Sequence, residues 1–172
     1  MLKKHSTWIM LLQIPLAWEW LSAGWEKIMM GGLGAKFAAN LPRTLEFFTK
    51  QVGPTGTVTN PHTWYVNSFL AWGQSNPTLF GYGVAYGELA IGLVIVAAIG
   101  YSLFAHQRLP KAFVWLVVAA LIVGIFLNYN FYFAAAWPAS ASATRSVNIM
   151  MGLLQLILIG YYLSEESKKE EA

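Results

Sequence analysis

Long apolar stretches, each broken by only a few polar residues, set the pattern of this chain. A helix needs about 20 mostly apolar residues to cross a bilayer. Four segments meet that requirement, at about residues 8–28, 80–104, 112–137 and 144–163. Pro15 falls inside the first and predicts a kink there, while Pro138 predicts the end of the third. Residues 164–172 (SEESKKEEA) read as a solvated, frayed tail. The expected fold is an all-α membrane protein: a four-transmembrane-helix bundle that forms a single domain over residues 1–172.

The connection over residues 29–79 is too long for a structureless loop in a compact domain. Residues 41–52 (LPRTLEFFTKQV) set Leu45, Phe48 and Val52 on one helical face. Residues 63–72 (TWYVNSFLAW) are crowded with aromatic rings, which suit a membrane interface. Between them, residues 53–61 (GPTGTVTNP) read as a turn-rich linker. The whole connection is therefore expected to form an outer cap of short amphipathic helices on the bundle mouth.

Composition agrees with this picture. Hydrophobic residues make up 56% of the chain and charged residues 11%, against about 25% charged in soluble domains. Mean hydropathy is +0.48. The net charge of +3 comes without a basic block, so nucleic acid is not an expected partner. The absence of cysteine rules out disulfides, thiol catalysis and thiolate ligation by this chain. His5, His62 and His106 are scattered, with no spacing typical of metal ligands, and there is no haem motif.

The first apolar run follows Lys3 and Lys4 and continues through Glu19 to Lys27, so it reads as a retained span, not a cleaved signal. With the N-terminus inside, Lys3, Lys4, Arg108, Lys111, Lys168 and Lys169 face the cytoplasm. Lys27, Lys36, Arg43, Lys50 and Arg145 face outward. The short inner segments favour both termini in the cytoplasm and a multi-pass location in the plasma membrane.

Ionisable groups within a span cost at least ~2.5 kcal/mol each at its centre, so each needs a reason. Glu19 and Glu26 lie in the first span, Glu88 in the second, Asn128 and Asn130 in the third, and Arg145 and Asn148 at the start of the fourth. At about 1.5 Å per residue, Glu19 lies ~18 Å from the inner edge and Glu88 ~12 Å below the outer edge. All four helices thus place polar groups in the same half of the bilayer. One polar pocket, open outward or sideways to lipid, would bring them together; the competing reading is a polar clasp holding the bundle. Arg145 is the expected counter-charge for Glu88 or Glu19. Asn128 and Asn130 do not share a helical face. Gly81, Gly83, Gly87, Ala90 and Gly92 read as close-packing positions. Most Trp residues read as interface anchors, and Trp18 and Trp25 read either as further anchors or as walls of the pocket.

At these residues the chain resembles a known family. The segment Trp18-Glu19-Trp20-Leu21-Ser22-Ala23-Gly24-Trp25-Glu26-Lys27 resembles the opening helix of the DoxD branch of the DoxX-like membrane proteins. Ala85-Tyr86-Gly87-Glu88-Leu89-Ala90-Ile91-Gly92-Leu93 is similar to that family's second-helix signature, and Asn128-Tyr129-Asn130-Phe131 to its third motif. The resemblance implies a four-helix bundle acting as the membrane subunit of a thiosulfate:quinone oxidoreductase, with a small DoxA-like partner subunit.

If the pocket holds a quinone, two electrons and two protons must reach it. Glu88, then Glu19 and Glu26, are the expected proton-handling groups. Asn128, Asn130 and Asn148 are candidates to hydrogen-bond a quinone carbonyl, and Trp25 to stack on its ring. Arg145 and Lys27 would attract an anion such as thiosulfate. Quinone enters as substrate, and no residue of the chain is itself a redox centre. Two other classes stay open: a non-catalytic anchor or assembly partner for an extracytoplasmic redox protein, and a carrier of a lipid-soluble molecule. The expected surroundings are the lipid bilayer and a small-molecule substrate; homo-oligomers are compatible.

Overall fold

Residues 77–104 hold no charge except Glu88, and they form one uninterrupted helix, α5 (Pro77–Phe104), at the centre of the structure. In chain order the elements of this computed structural model are α1 (Lys4–Met29), α2 (Ala35–Thr49), β1 (Lys50–Gly53), β2 (Gly56–Thr59), α3 (Thr63–Tyr65), a π-helical turn Val66–Leu70, α4 (Ala71–Ser75), α5, α6 (Lys111–Ala135) and α7 (Ser142–Glu170). The structure describes residues 4–53, 56–104, 109–135, 137 and 142–170. Lys3, Arg108 and Pro138, used above for orientation and helix ending, lie outside the described residues.

Among the described residues, three helices are long and apolar enough to cross a membrane: α5, α6, and Ala143–Ser167 within α7. Their outward side chains are apolar, including Leu93 and Val96 on α5, Trp115 and Ile122 on α6, and Leu153 and Ile157 on α7. Such a continuous apolar exterior belongs to a membrane protein. The chain is a helical, multi-pass membrane protein. α1 matches these helices in length but not in apolarity, because Gln13, Glu19, Glu26 and Lys27 interrupt it.

α1 lies along α5, α6 lies along α7, and α5 joins the two pairs. Leu16, Trp20, Ile91, Ile95, Val117, Leu121 and Leu158 form the core between them. The α1–α5 contact is built from a reciprocal spacing, Leu21-x-x-Gly24 on α1 against Leu89-x-x-Gly92 on α5. A Cβ on Gly24 would come within 2.8 Å of Leu89 Cα, and one on Gly92 within 2.7 Å of Leu21 N. Each leucine thus occupies the notch left by the other helix's glycine, the small-residue device of membrane helix pairs.

The connection after α1 is ordered, and its elements differ from the expected ones in three places. Gly31, Gly32, Leu33 and Gly34 all have positive φ and turn the chain sharply into α2. α2 therefore begins at Ala35, earlier than residue 41, and buries Ala38, Leu41 and Leu45 along one face. Val52 does not share that face, because the helix ends at Thr49 and Val52 is in β1. The segment read as a linker forms an antiparallel hairpin, with Gln51 opposite Val58 and Val52 opposite Thr57. Its β-branched residues favour the extended pairing.

Asn60 fastens this cap to the bundle. Its Nδ2 donates to Phe48 O at 3.0 Å and to Phe133 O at 2.9 Å, and its Oδ1 accepts from His62 N. Tyr65 adds a bond from its hydroxyl to Asn130 O at 3.1 Å. Leu41, Leu45, Tyr65, Leu70 and Ala134 form a second, smaller core beneath.

At the other end, α7 continues to Glu170, so the segment read as a frayed tail is helical through most of its length. Its Glu and Lys residues are good helix formers. α6 stops at Ala135, and Trp137 then donates from Nε1 to Ala134 O at 2.9 Å, giving one of the last carbonyls a partner.

Candidate functional site

The polar side chains in the helices gather at three levels along the bundle. Nearest the chain termini, Tyr162 donates its hydroxyl to Gln13 Oε1 at 2.8 Å, joining α7 to α1. One level further, Asn128 Nδ2 donates to Gln155 Oε1 at 2.8 Å, joining α6 to α7. Trp20 Nε1 and Gln155 Nε2 lie beside this bond, buried and without a hydrogen-bond partner among the described residues. At the third level Lys27 of α1 meets Glu88 of α5.

The Lys27–Glu88 pair is the most deeply placed charge pair described. Lys27 Nζ lies 2.7 Å from Glu88 Oε2, with the carboxylate side chain 1% exposed and the lysine side chain 22%. The ammonium also donates to Ala23 O at 3.3 Å. It sits 5.7 Å from the Phe37 ring centroid and 5.9 Å from that of Phe131, both within cation–π range. Arg145 is the counter-charge expected for Glu88 or Glu19; the partner found at Glu88 is Lys27. Two ridges meet there: the α1–α5 contact brings Lys27, one turn beyond Gly24, over Glu88, the neighbour of Leu89.

Beside this pair opens a cleft of about 490 Å³. The cap supplies Leu45, Tyr65, Phe69 and Trp72, α5 supplies Phe80, Gly83 and Gly87, and α6 supplies Phe126, Asn130 and Phe131. The aromatic walls brace one another edge-on. Phe69 lies 5.3 Å from Phe80 and 5.8 Å from Phe126, and Trp72 lies 5.8 Å from Phe80. Tyr65 stacks on Phe69 at 5.6 Å. Burial pushes the Tyr65 phenol above its ordinary range. Phe131 belongs to both places, lining the cleft and covering Lys27.

The cleft offers almost no free polar surface. The Tyr65 hydroxyl is committed to Asn130 O, and Asn130 Nδ2 donates to Phe126 O at 2.6 Å. An amide nitrogen carries two hydrogens, so Asn130 keeps one N–H beyond that bond.

The expected site residues are thus divided. Lys27 and Glu88 come together, Asn130 lines the cleft, and Asn128 is buried in the amide pair. Glu19, Glu26 and Trp25 are exposed on α1. Trp18 and Trp25 are exposed, and neither lines this cleft. Arg145 is half-buried in the first turn of α7, and Asn148 donates to Thr144 O within its own helix at 2.8 Å. The aromatic walls come instead from the cap, α5 and α6. The crowding of rings over residues 63–72 signalled the cap's share of them, although it did not show what they would cover.

Gln13 and Asn60 were missed by the sequence reading. A glutamine in an amphipathic span and an asparagine before a proline carry no distinctive spacing. Among the described residues no group of three or more His, Asp or Glu side chains is placed to hold a metal. Comparison of the chain with protein-family models, with curated proteins and with solved structures finds no match in any of the three.

Proposed function

We propose that this chain is a DoxD-like membrane subunit of a quinone-linked oxidoreductase and that the aromatic cleft receives the quinone. In this reading α1 is a fourth span, both termini are cytoplasmic, and the membrane is the plasma membrane. The observation that carries the proposal is the juxtaposition of an apolar, ring-lined cleft with a buried lysine–glutamate pair behind one shared ring, Phe131. A lipid-soluble ring needs the first, and its reduction needs a nearby group able to pass protons.

The reaction implied by the resemblance takes two thiosulfates, one quinone and two protons to tetrathionate and quinol. Electrons leave the sulfur atoms as the S–S bond forms and enter the quinone ring. Lys27 Nζ and Glu88 Oε2 form the proton-holding pair. Motion of Phe131 would open that pair to the cleft. The spare Asn130 N–H would hydrogen-bond a quinone carbonyl. Arg145 and Lys27 would attract the thiosulfate dianion. A small DoxA-like partner would complete the enzyme.

The test is thiosulfate-dependent reduction of a short-chain quinone analogue in membranes containing the chain, beside Glu88→Gln and Arg145→Ala variants. Activity lost in folded variants supports the reading. Activity in neither wild type nor variants, even with a partner supplied, would favour a non-catalytic anchor. The commitment of the Tyr65 hydroxyl and of one Asn130 N–H inside the structure favours a second reading, a carrier of a lipid-soluble molecule. A carrier would retain its ligand on purification and turn nothing over.

A further inference from the structure

The glycines of α5 fall into two kinds. A Cβ on Gly81 would lie 2.8 Å from Ala38 Cα, and one on Gly92 would lie 2.7 Å from Leu21 N, so helix packing requires both. Gly83 and Gly87 are different. A Cβ on Gly83 would meet nothing within 4 Å, and one on Gly87 would meet only Leu127 Cδ1 at 4.0 Å. Neither has a positive φ, so the backbone does not require glycine either. Glycine weakens a helix relative to alanine. Gly100, Gly152 and Gly160 are equally open, but only Gly83 and Gly87 among these line the cleft.

We infer that Gly83 and Gly87 are specificity-determining residues of the cleft, a bare strip of helix backbone on which a planar ring of the ligand lies. The two residues are one turn apart on the same helical face. With no side chains they present a flat floor, and the same cleft is lined by Phe69, which packs edge-on against both Phe80 and Phe126. Methyl groups at 83 or 87 would enter the volume that a flat ring needs. A flexible acyl chain could bend past them. The inference rests on the proposed lipid-soluble ligand and adds the residues that select its shape.

The experiment is equilibrium binding of a short-chain ubiquinone analogue and, separately, of palmitate to the full chain in phosphatidylcholine nanodiscs. It is run on wild type, Gly83→Ala, Gly87→Ala and Gly83→Leu, with melting temperatures recorded for each. The expected result is unchanged or raised melting temperatures, with quinone-analogue binding weakened about tenfold or more in each alanine variant and lost in Gly83→Leu. Variants that melt normally and bind the analogue like wild type would overturn the inference and leave the quinone reading standing. Alanine variants that fail to fold would also overturn it, by showing that packing requires the glycines. Wild type that binds palmitate but no analogue would overturn the planar-ring assignment and the quinone reading while keeping a lipid carrier. Wild type that binds neither would remove both proposals.

Discussion

Lys27 reaches from α1 to within 2.7 Å of Glu88 on α5, and the carboxylate it meets is almost wholly buried. This pair joins two helices whose backbones are already brought close by Gly24 and Gly92. It also sets a buried charge pair directly behind a wall of the cleft. Stability and the proposed chemistry therefore meet at the same residues, and the two can be separated by experiment.

A buried pair is costly to break and less costly to replace, because removing one partner leaves the other charge buried and uncompensated. Lys27→Met is expected to lower stability by ~3–5 kcal/mol. The double variant Lys27→Met/Glu88→Leu is expected to recover most of that loss. Unfolding in mixed detergent micelles with rising dodecyl sulfate measures both. A double variant no more stable than Lys27→Met would show that the pair itself, and not relief of the stranded charge, holds the helices together.

The reciprocal notch predicts an overpacking effect at one small residue. Gly24→Val should destabilise the α1–α5 contact by ~1–3 kcal/mol, since the added side chain meets Leu89 backbone that cannot move aside. Gly83→Val should cost far less, because open space lies above that position. The same unfolding assay compares the two.

Asn60 should control the cap without controlling the bundle. Asn60→Ala removes bonds to Phe48 O, Phe133 O and His62 N. Stranding those groups costs ~1–3 kcal/mol in local stability. Hydrogen exchange over residues 50–65 should quicken while exchange in α5 and α6 stays as in wild type. Equal quickening in both would mean that cap and bundle open as one unit.

Tyr65 gives a pH dependence with a definite sign. Its folded-state pKa is raised by burial above the ordinary tyrosine value of about 10. The folded chain therefore holds this proton where the unfolded chain has lost it. The stability this contributes is fully present below pH ~10 and is lost as pH rises beyond it. Unfolding measured from pH 9 to above pH ~10 should show that decline in wild type and a shallower one in Tyr65→Phe. Identical slopes would remove Tyr65 as the cause.

The apolar runs by themselves determined that this is a helical membrane protein and where α5, α6 and α7 lie, because only such runs satisfy both lipid and the backbone. Local pattern also marked the cap's helical segments and singled out Glu88 as a charge needing a partner. It could not name that partner. The chain alone pointed to Arg145, and only the Gly24–Leu89 and Leu21–Gly92 contacts bring Lys27 to Glu88 instead. The same holds for the glycines of α5. Gly81, Gly83, Gly87 and Gly92 look alike in sequence, yet two are buried under neighbouring helices and two face the cleft. The Asn60 anchor likewise depends on a carbonyl brought from a distant helix, that of Phe133 on α6. Long-range packing assigns each polar or small residue its neighbour, and a one-dimensional pattern carries periodicity but not the neighbour's identity.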